Sequence, residues 1–372
     1  MKKILLACAA LTYGTVCLAA DKLELLNEHA IKSQLASESI LLNIMQHNES
    51  LIAVGERGHI IEWENPNKWS QFSVPVSVTI TDVTQLKNGN FVAVGHDAAI
   101  LLFNQNTKKW TKVFDGYDLT KLVISSLAKQ ILAQEARLQD LPEDADRYEE
   151  EYRLEDLEYA HKDAQTELDT GPNKPLLSVI TADNGDVFVT GAYGVLLRSK
   201  DEGLTWDLVS NKIDNIDKFH LNSIVKDVDG ALYIVGENAV AARSSDNGNT
   251  WESMELPYHG SFFGVIASQN SKHLIAFGLQ GHFAVSNDSG LNWRLIEKKL
   301  SSSFLGGTVS DKGIAYLVGH GGLVLSFPLD KPNQQTIYKH PSGATFSAVT
   351  LEGNKQLVLV GQQGITRWNL GK

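Results

Sequence analysis

Cysteine is almost missing from this 372-residue chain: Cys8 and Cys17 are its two, and both precede residue 20. The rest has no thiol to close a disulfide or hold a metal. Stability must come from a buried core, which a chain of this length can supply. After residue 20 no run is long and apolar enough to span a bilayer. Positive charge is scarce too, at 33 Lys+Arg against 44 Asp+Glu, a net charge of −11. That excess of acid argues against nucleic acid or an anionic membrane as partner. No G-x-S-x-G is present, and no histidine recurs at the close spacing of an H-x-x-x-H metal site. The glycine-rich "VGHGGL" (318–323) has no helix pattern behind it and so is not a phosphate cradle.

What is there begins with a leader. Lys2 and Lys3, an apolar run over residues 4–11 and the small residues of "CLAA" (17–20) follow the order of a secretory signal, with cleavage expected near Ala20. Residues 1–20 are therefore read as a signal peptide and residues 21–372 as an exported, periplasmic protein. Loss of the leader removes two lysines and leaves 31 Lys+Arg against 44 Asp+Glu, a net −13.

One stretch organises the remainder. "GAYGVLLRSKDEGLTW" (191–206) returns as "GENAVAARSSDNGNTW" (236–251) and "GLQGHFAVSNDSGLNW" (278–293), each with glycine and tryptophan fifteen residues apart. In the middle copy, "ALYIVG" (231–236) reads as a short strand, "VAARSS" (240–245) as a second, and "SSDNGNTW" (244–251) as a tight connection. Asp246 is placed to accept backbone N–H groups ahead of it, and Gly248 to take a positive φ. The repeat glycine recurs at Gly55, Gly95, Gly191, Gly236, Gly278, Gly319 and Gly361, with spacings of 40, 96, 45, 42, 41 and 42. The 96 is one unit plus an insertion. Seven units at this period, each with a further strand such as "LNSIVKD" (221–227), describe an all-β fold: a seven-bladed β-propeller with an inserted α-helical hairpin. The last unit lacks a fourth strand, and "KLELLNE" (22–28) is expected to supply it and close the ring. A six-bladed ring and an open solenoid are the alternatives.

The connection resembles the Asp-box of the bacterial neuraminidase repeat, S-x-D-x-G-x-T-W. Ser199, Asp201, Gly203, Thr205 and Trp206 fill every fixed position, as do Ser244, Asp246, Gly248, Thr250 and Trp251; Ser286, Asp288, Gly290 and Trp293 do so with Asn292 in place of threonine. In families that carry it the box is a structural hairpin device far from any active site. The end units depart: "NPNKW" keeps Trp69 without the aspartate, "NQNTKKW" keeps Trp110, and "LDKPNQQ" has no tryptophan.

The insertion, residues 118–169, is nearly free of glycine and β-branched residues after Ile131. Leu119, Leu122, Val123, Leu127, Ile131, Leu138 and Leu141 fall near helical spacing, and Leu154, Leu157, His161, Ala164 and Leu168 form a second stripe. This predicts an αα-hairpin of about twenty residues per arm, about 30 Å long. It carries 15 acidic and 6 basic residues, a net −9. It should rise between blades two and three, from the face that carries "GERGH", "GHDAA", "GENAV" and "GHGGL", either as decoration or as a docking arm.

His59, His96, Glu237, His282 and His320 fall in the loops of that face and are the candidate binding residues. No catalytic, cofactor or metal site is assigned. A sialidase needs an arginine cluster, a tyrosine–glutamate pair, an acid aspartate and an Arg-Ile-Pro motif. The last is missing, and Arg57, Arg198, Arg243 and Arg367 are few. The repeat as a whole resembles the photosystem II stability/assembly-factor-like propellers. That resemblance implies a non-catalytic protein binder. Its non-photosynthetic bacterial branch implies an accessory to an envelope protein, such as an RND-type transporter. The expectation is a monomeric periplasmic scaffold without cofactor. A glycan-active or glycan-binding protein is the alternative, and a metal or small-molecule sensor built on the histidines a third reading.

Overall fold

The computed structural model describes residues 24–48, 50–65, 68–142, 145–171, 173–297, 300–353 and 356–370. The expected signal peptide lies outside them. Within them the chain forms seven antiparallel sheets, six of four strands and one of three, each in sequence order. The innermost strands are Leu41–His47, Ile80–Gln85, Leu176–Thr181, Leu221–Lys226, Phe262–Ala267, Phe304–Val309 and Phe346–Glu352. Each lies against the next, and Phe346–Glu352 lies against Leu41–His47, so the sheets form a closed seven-bladed ring.

Each sheet is covered on both faces by its neighbours, which is why the second strands are continuous apolar runs rather than alternating ones. Phe91–Gly95, Val187–Gly191, Leu232–Gly236 and Leu274–Gly278 are buried at every residue. The core is accordingly divided into layers between adjacent blades, for example Ile52, Val54 and Ile60 against Ile80, Val83 and Phe91, or Val318 and Val324 against Phe346 and Leu359.

The repeat glycine is dictated by a close approach, not by its own dihedral angles. Gly236 has φ −156, which any residue adopts, but a Cβ there would lie 2.1 Å from the His220 carbonyl oxygen. That carbonyl is held in place by the N–H of Glu237 at 3.0 Å. The same arrangement joins Gly55 to Ile40, Gly278 to Ser261 and Gly361 to Thr345.

Two expectations need correction. The insertion is longer than its sequence pattern suggested: α1 is Gly116–Asp140 and α2 is Tyr148–Thr170, so α1 is about 37 Å long at 1.5 Å per residue. Asp115 caps α1 by accepting the Tyr117 N–H at 3.0 Å, a signal that lay just ahead of the apolar stripe. Among the described residues, 24–28 of "KLELLNE" do not join the last blade. The sheet of Phe346–Glu352, Gln356–Gly361 and Gly364–Asn369 has three strands among the described residues. The N-terminal stretch instead runs beside the first two blades: Ser77 N–H donates to the Leu25 carbonyl at 2.8 Å and Ala30 N–H to that of Val74 at 2.9 Å. Leu26 and Ala30 are buried in the apolar layer there with Val74 and Val76. Lys22 and Leu23 are outside the described residues.

Candidate functional site

The Asp-boxes are structural, and their chemistry is local. In blade three the Ser199 hydroxyl donates to Asp201 at 2.8 Å and accepts from the Gly203 N–H at 2.8 Å. Asp201 accepts from the Thr205 N–H and hydroxyl at 2.9 and 2.5 Å, and the Trp206 indole N–H donates to the Gly203 carbonyl at 3.1 Å. Ser244, Asp246, Gly248 and Thr250 repeat this set. Asn292 replaces threonine without loss, because its amide donates to Asp288 at 2.7 Å where a hydroxyl otherwise would. Gly248 has φ +74, as the turn required. Burial presses the Asp246 carboxyl upward, but donors from Thr250, Ser244 and Asn249 outweigh it and hold it down at about 2. Blades with a box have two-residue outer strands, such as Glu252–Ser253; blades without one pair over longer stretches, such as Lys109–Phe114.

The loops of the opposite face are short 3-10 turns such as Glu56–Gly58, His96–Ala98 and Glu237–Ala239. They do not gather the candidate residues. His59 is buried, its Nδ1 2.8 Å from the Ser39 hydroxyl, and burial lowers its pKa. His282 stacks on Tyr258 with ring centroids 3.9 Å apart, His320 lies 3.3 Å from the Thr345 hydroxyl, and His96 is exposed. Glu237 accepts the His220 N–H at 3.0 Å, as Glu56 accepts that of Ile40, so it braces the entry to its own blade. Among the described residues no three His, Cys, Asp or Glu come together as a metal site.

The arginines are committed separately. Arg198 forks onto Asp186 and onto Asn249 of the next blade at 3.0 Å. Arg243 donates to the Tyr233 hydroxyl at 3.3 Å, and Arg367 pairs with Glu352 at 2.7 Å over the Trp63 ring.

Inside the ring a polar belt ties the innermost strands together. The buried Asp82 carboxylate accepts from the Asn43 amide, the Val83 N–H, the Ser178 hydroxyl and the Val179 N–H at 2.5, 2.8, 3.0 and 2.8 Å, joining blades one, two and three. The Ser347 hydroxyl donates to the Leu41 carbonyl at 2.7 Å and joins the last blade to the first. Asn43, Asp82, Ser178 and Ser347 line a channel space of about 380 Å³. Sequence reading passed over Asp82; its only signal was a carboxylate inside an apolar, β-branched strand.

The larger space is outside the ring. The hairpin rests on the His96–Ala98 turn and on the outer strand of blade three, with Leu119 fully buried and Leu122 and Val123 against the blade two–three core. Between the hairpin and blades three and four lies a cleft of about 960 Å³. Val123, Leu127 and Gln130 of α1 and Ala160, Asp163 and Glu167 of α2 form one wall; Tyr193, Leu208, residues 210–216, Lys218 and Trp251 form the other. Tyr193 is 51% exposed and Ile216 is 90% exposed, so the ring side offers two large apolar side chains to solvent. Lys174 and Glu167 form an ion pair at the base. The hairpin thus lies on the expected face, against the His96–Ala98 turn.

Seven blades and three boxes define a BNR-repeat β-propeller. Residues 158–260, from the second half of α2 through blade four, match the family described as photosynthesis system II assembly factor YCF48. That match covers less than a third of the chain. Among solved structures it is similar to YCF48 bound to D1 peptide, at 13% identity and TM-score 0.57, over 93% of this chain and 98% of that one. It is also similar to YCF48 from Cyanidioschyzon merolae, at 12% identity and TM-score 0.58, over 93% and 99%. The extracellular domain of a hybrid two-component system from B. thetaiotaomicron aligns at 10% identity and TM-score 0.61, over 90% of this chain and 39% of that one. At these identities the likeness is one of fold. No curated protein matches the sequence.

Proposed function

We propose that the chain is a non-catalytic periplasmic scaffold whose hairpin cleft holds a segment of an envelope protein, with an RND-type transporter as the partner class. The observation that carries this is the cleft of about 960 Å³ with Tyr193 and Ile216 presented into solvent along its rim. Large exposed apolar side chains beside a groove mark a surface that another chain covers. A YCF48 structure holding a D1 peptide supports a protein segment as the kind of ligand. The commitment of Arg198, Arg243 and Arg367 to their own joints supports a scaffold over a carboxylate-binding glycosidase. No helix among the described residues is long and apolar enough to cross a membrane.

Affinity capture from solubilised envelope tests the reading. The intact chain is expected to recover a transporter, and Ile216→Asp with Tyr193→Ser to lose it. Equal recovery by both would move binding elsewhere on the ring. Turnover of a fluorogenic sialoside by the intact chain would overturn the non-catalytic assignment.

A further inference from the structure

The outer face of α2 carries a feature that neither helix packing nor the cleft explains. Leu154, Leu157, His161, Ala164 and Leu168, the stripe turned to α1, are wholly or partly buried. On the opposite side Tyr148, Tyr152 and Tyr159 are 69, 53 and 60% exposed. Their spacing of four and seven residues sets them within roughly 40° of one another around the helix. Tyr148 and Tyr152 stack with centroids 6.4 Å apart. Glu155, Asp156 and Glu158 flank the stripe, exposed and without a hydrogen bond or ion pair among the described residues. Tyrosine is a weaker helix former than glutamate or lysine, so a merely solvated helix gains nothing from three of them. Lys162 is the one cation close to the stripe. The stripe borders the cleft through Asp163, which lines it.

We infer that this face docks a lysine- and arginine-rich polypeptide segment of the protein partner. Aromatic faces attract cations, and the surrounding carboxylates complement the same charge while repelling nucleic acid and anionic lipid. The inference rests on the reading that the cleft binds a protein, and it assigns the partner's basic segment to the outer side of the same arm.

The test uses the full chain and a fluorescein-labelled peptide of alternating arginine and leucine, with a glutamate–leucine peptide of equal length as control. The arginine peptide is expected to bind, and to bind less as salt is raised. Tyr148→Ala, Tyr152→Ala and Tyr159→Ala together should weaken it ~10-fold or more, whereas the corresponding phenylalanine set should stay within about twofold. An unchanged circular dichroism spectrum and melting temperature confirm that the alanine set folds. Unaltered affinity in the alanine set, or equal binding of the glutamate peptide, overturns the inference. If the alanine set still captures the envelope protein in full while Ile216→Asp does not, the basic-segment assignment falls and the cleft reading stands.

Discussion

Asp82 offers a perturbation whose size can be worked from the structure. Its carboxylate accepts four hydrogen bonds, two of them from the backbone N–H groups of Val83 and Val179. In Asp82→Asn one oxygen becomes an NH2. The Asn43 amide cannot flip, because its oxygen accepts the Ile44 N–H at 2.7 Å; with the NH2 toward Ser178 the hydroxyl can turn, but the Val179 N–H must then face a donor, at about 1–3 kcal/mol. Ionisation adds a pH-dependent part. Burial pushes the Asp82 carboxyl up to about 6, against the downward pull of Val179, Val83, Ser178 and Asn43. A folded-state pKa above the unfolded value of 3.8 means the folded chain holds this proton more tightly. The resulting stability is complete below the unfolded pKa and is lost as pH rises through about 6. The gap in unfolding free energy between wild type and Asp82→Asn should therefore widen as pH falls. From near nothing at pH 7.5, this part should reach about 1 kcal/mol at pH 5 and about 2 at pH 4. Denaturant titrations of both proteins across that range measure it, since contributions from other groups cancel in the difference. A gap that narrows toward acid would refute the reasoning: the four donors would then outweigh burial, and the carboxyl would sit below its ordinary value.

Two further predictions concern the ring. Gly236→Ala places a Cβ 2.1 Å from the His220 carbonyl oxygen and should cost about 3 kcal/mol, whereas Gly343→Ala, at φ +64 with open space around it, should cost about 1 kcal/mol; comparable losses in thermal melts would deny the close-approach account. Ser347→Ala removes the hydrogen bond between the last and first blades, at about 1 kcal/mol, and should speed amide exchange in Leu41–His47 and Phe346–Glu352 before the Leu221–Lys226 strand; uniform acceleration would mean that the joint is not a weak point of the ring.

The ring was legible because its signals are local and repeated. Glycine, strand pair and Asp-box recur at a fixed offset, and the same physics of a close carbonyl and a carboxylate turn forces them in each copy. What escaped were features fixed by long-range pairing. "KLELLNE" has the pattern of a strand, but Leu26 and Ala30 are buried in the apolar layer with Val74 and Val76. Glu237 was read as a binding residue because it sits in a loop, yet its carboxylate is spent on the His220 N–H, a bond that links residues seventeen apart. Of the histidines, His59, His282 and His320 each engage a different neighbour, Ser39, Tyr258 and Thr345. The tyrosine stripe was visible in principle: the same periodicity that picked out Leu154, Leu157 and Leu168 places Tyr148, Tyr152 and Tyr159 opposite them. Attention to the buried side of a helix passes over such a stripe.

The charge of the molecule bears on how the arm and the ring divide the work. Of the net −11 of the whole chain, −9 falls in residues 118–169, so the rest is close to balanced. A field concentrated on one projecting element acts before contact and governs encounter, and it fades with salt over a Debye length of about 10 Å at 0.1 M. The apolar side chains of the cleft, Tyr193 and Ile216 among them, act only on contact and govern release. A basic segment drawn to α2 would thus raise the on-rate and align the partner, and the neighbouring cleft would set its residence time. Raising salt should slow association with little change in dissociation, while Ile216→Asp should do the reverse. The two kinetic signatures separate the arm from the cleft on the same pair of proteins.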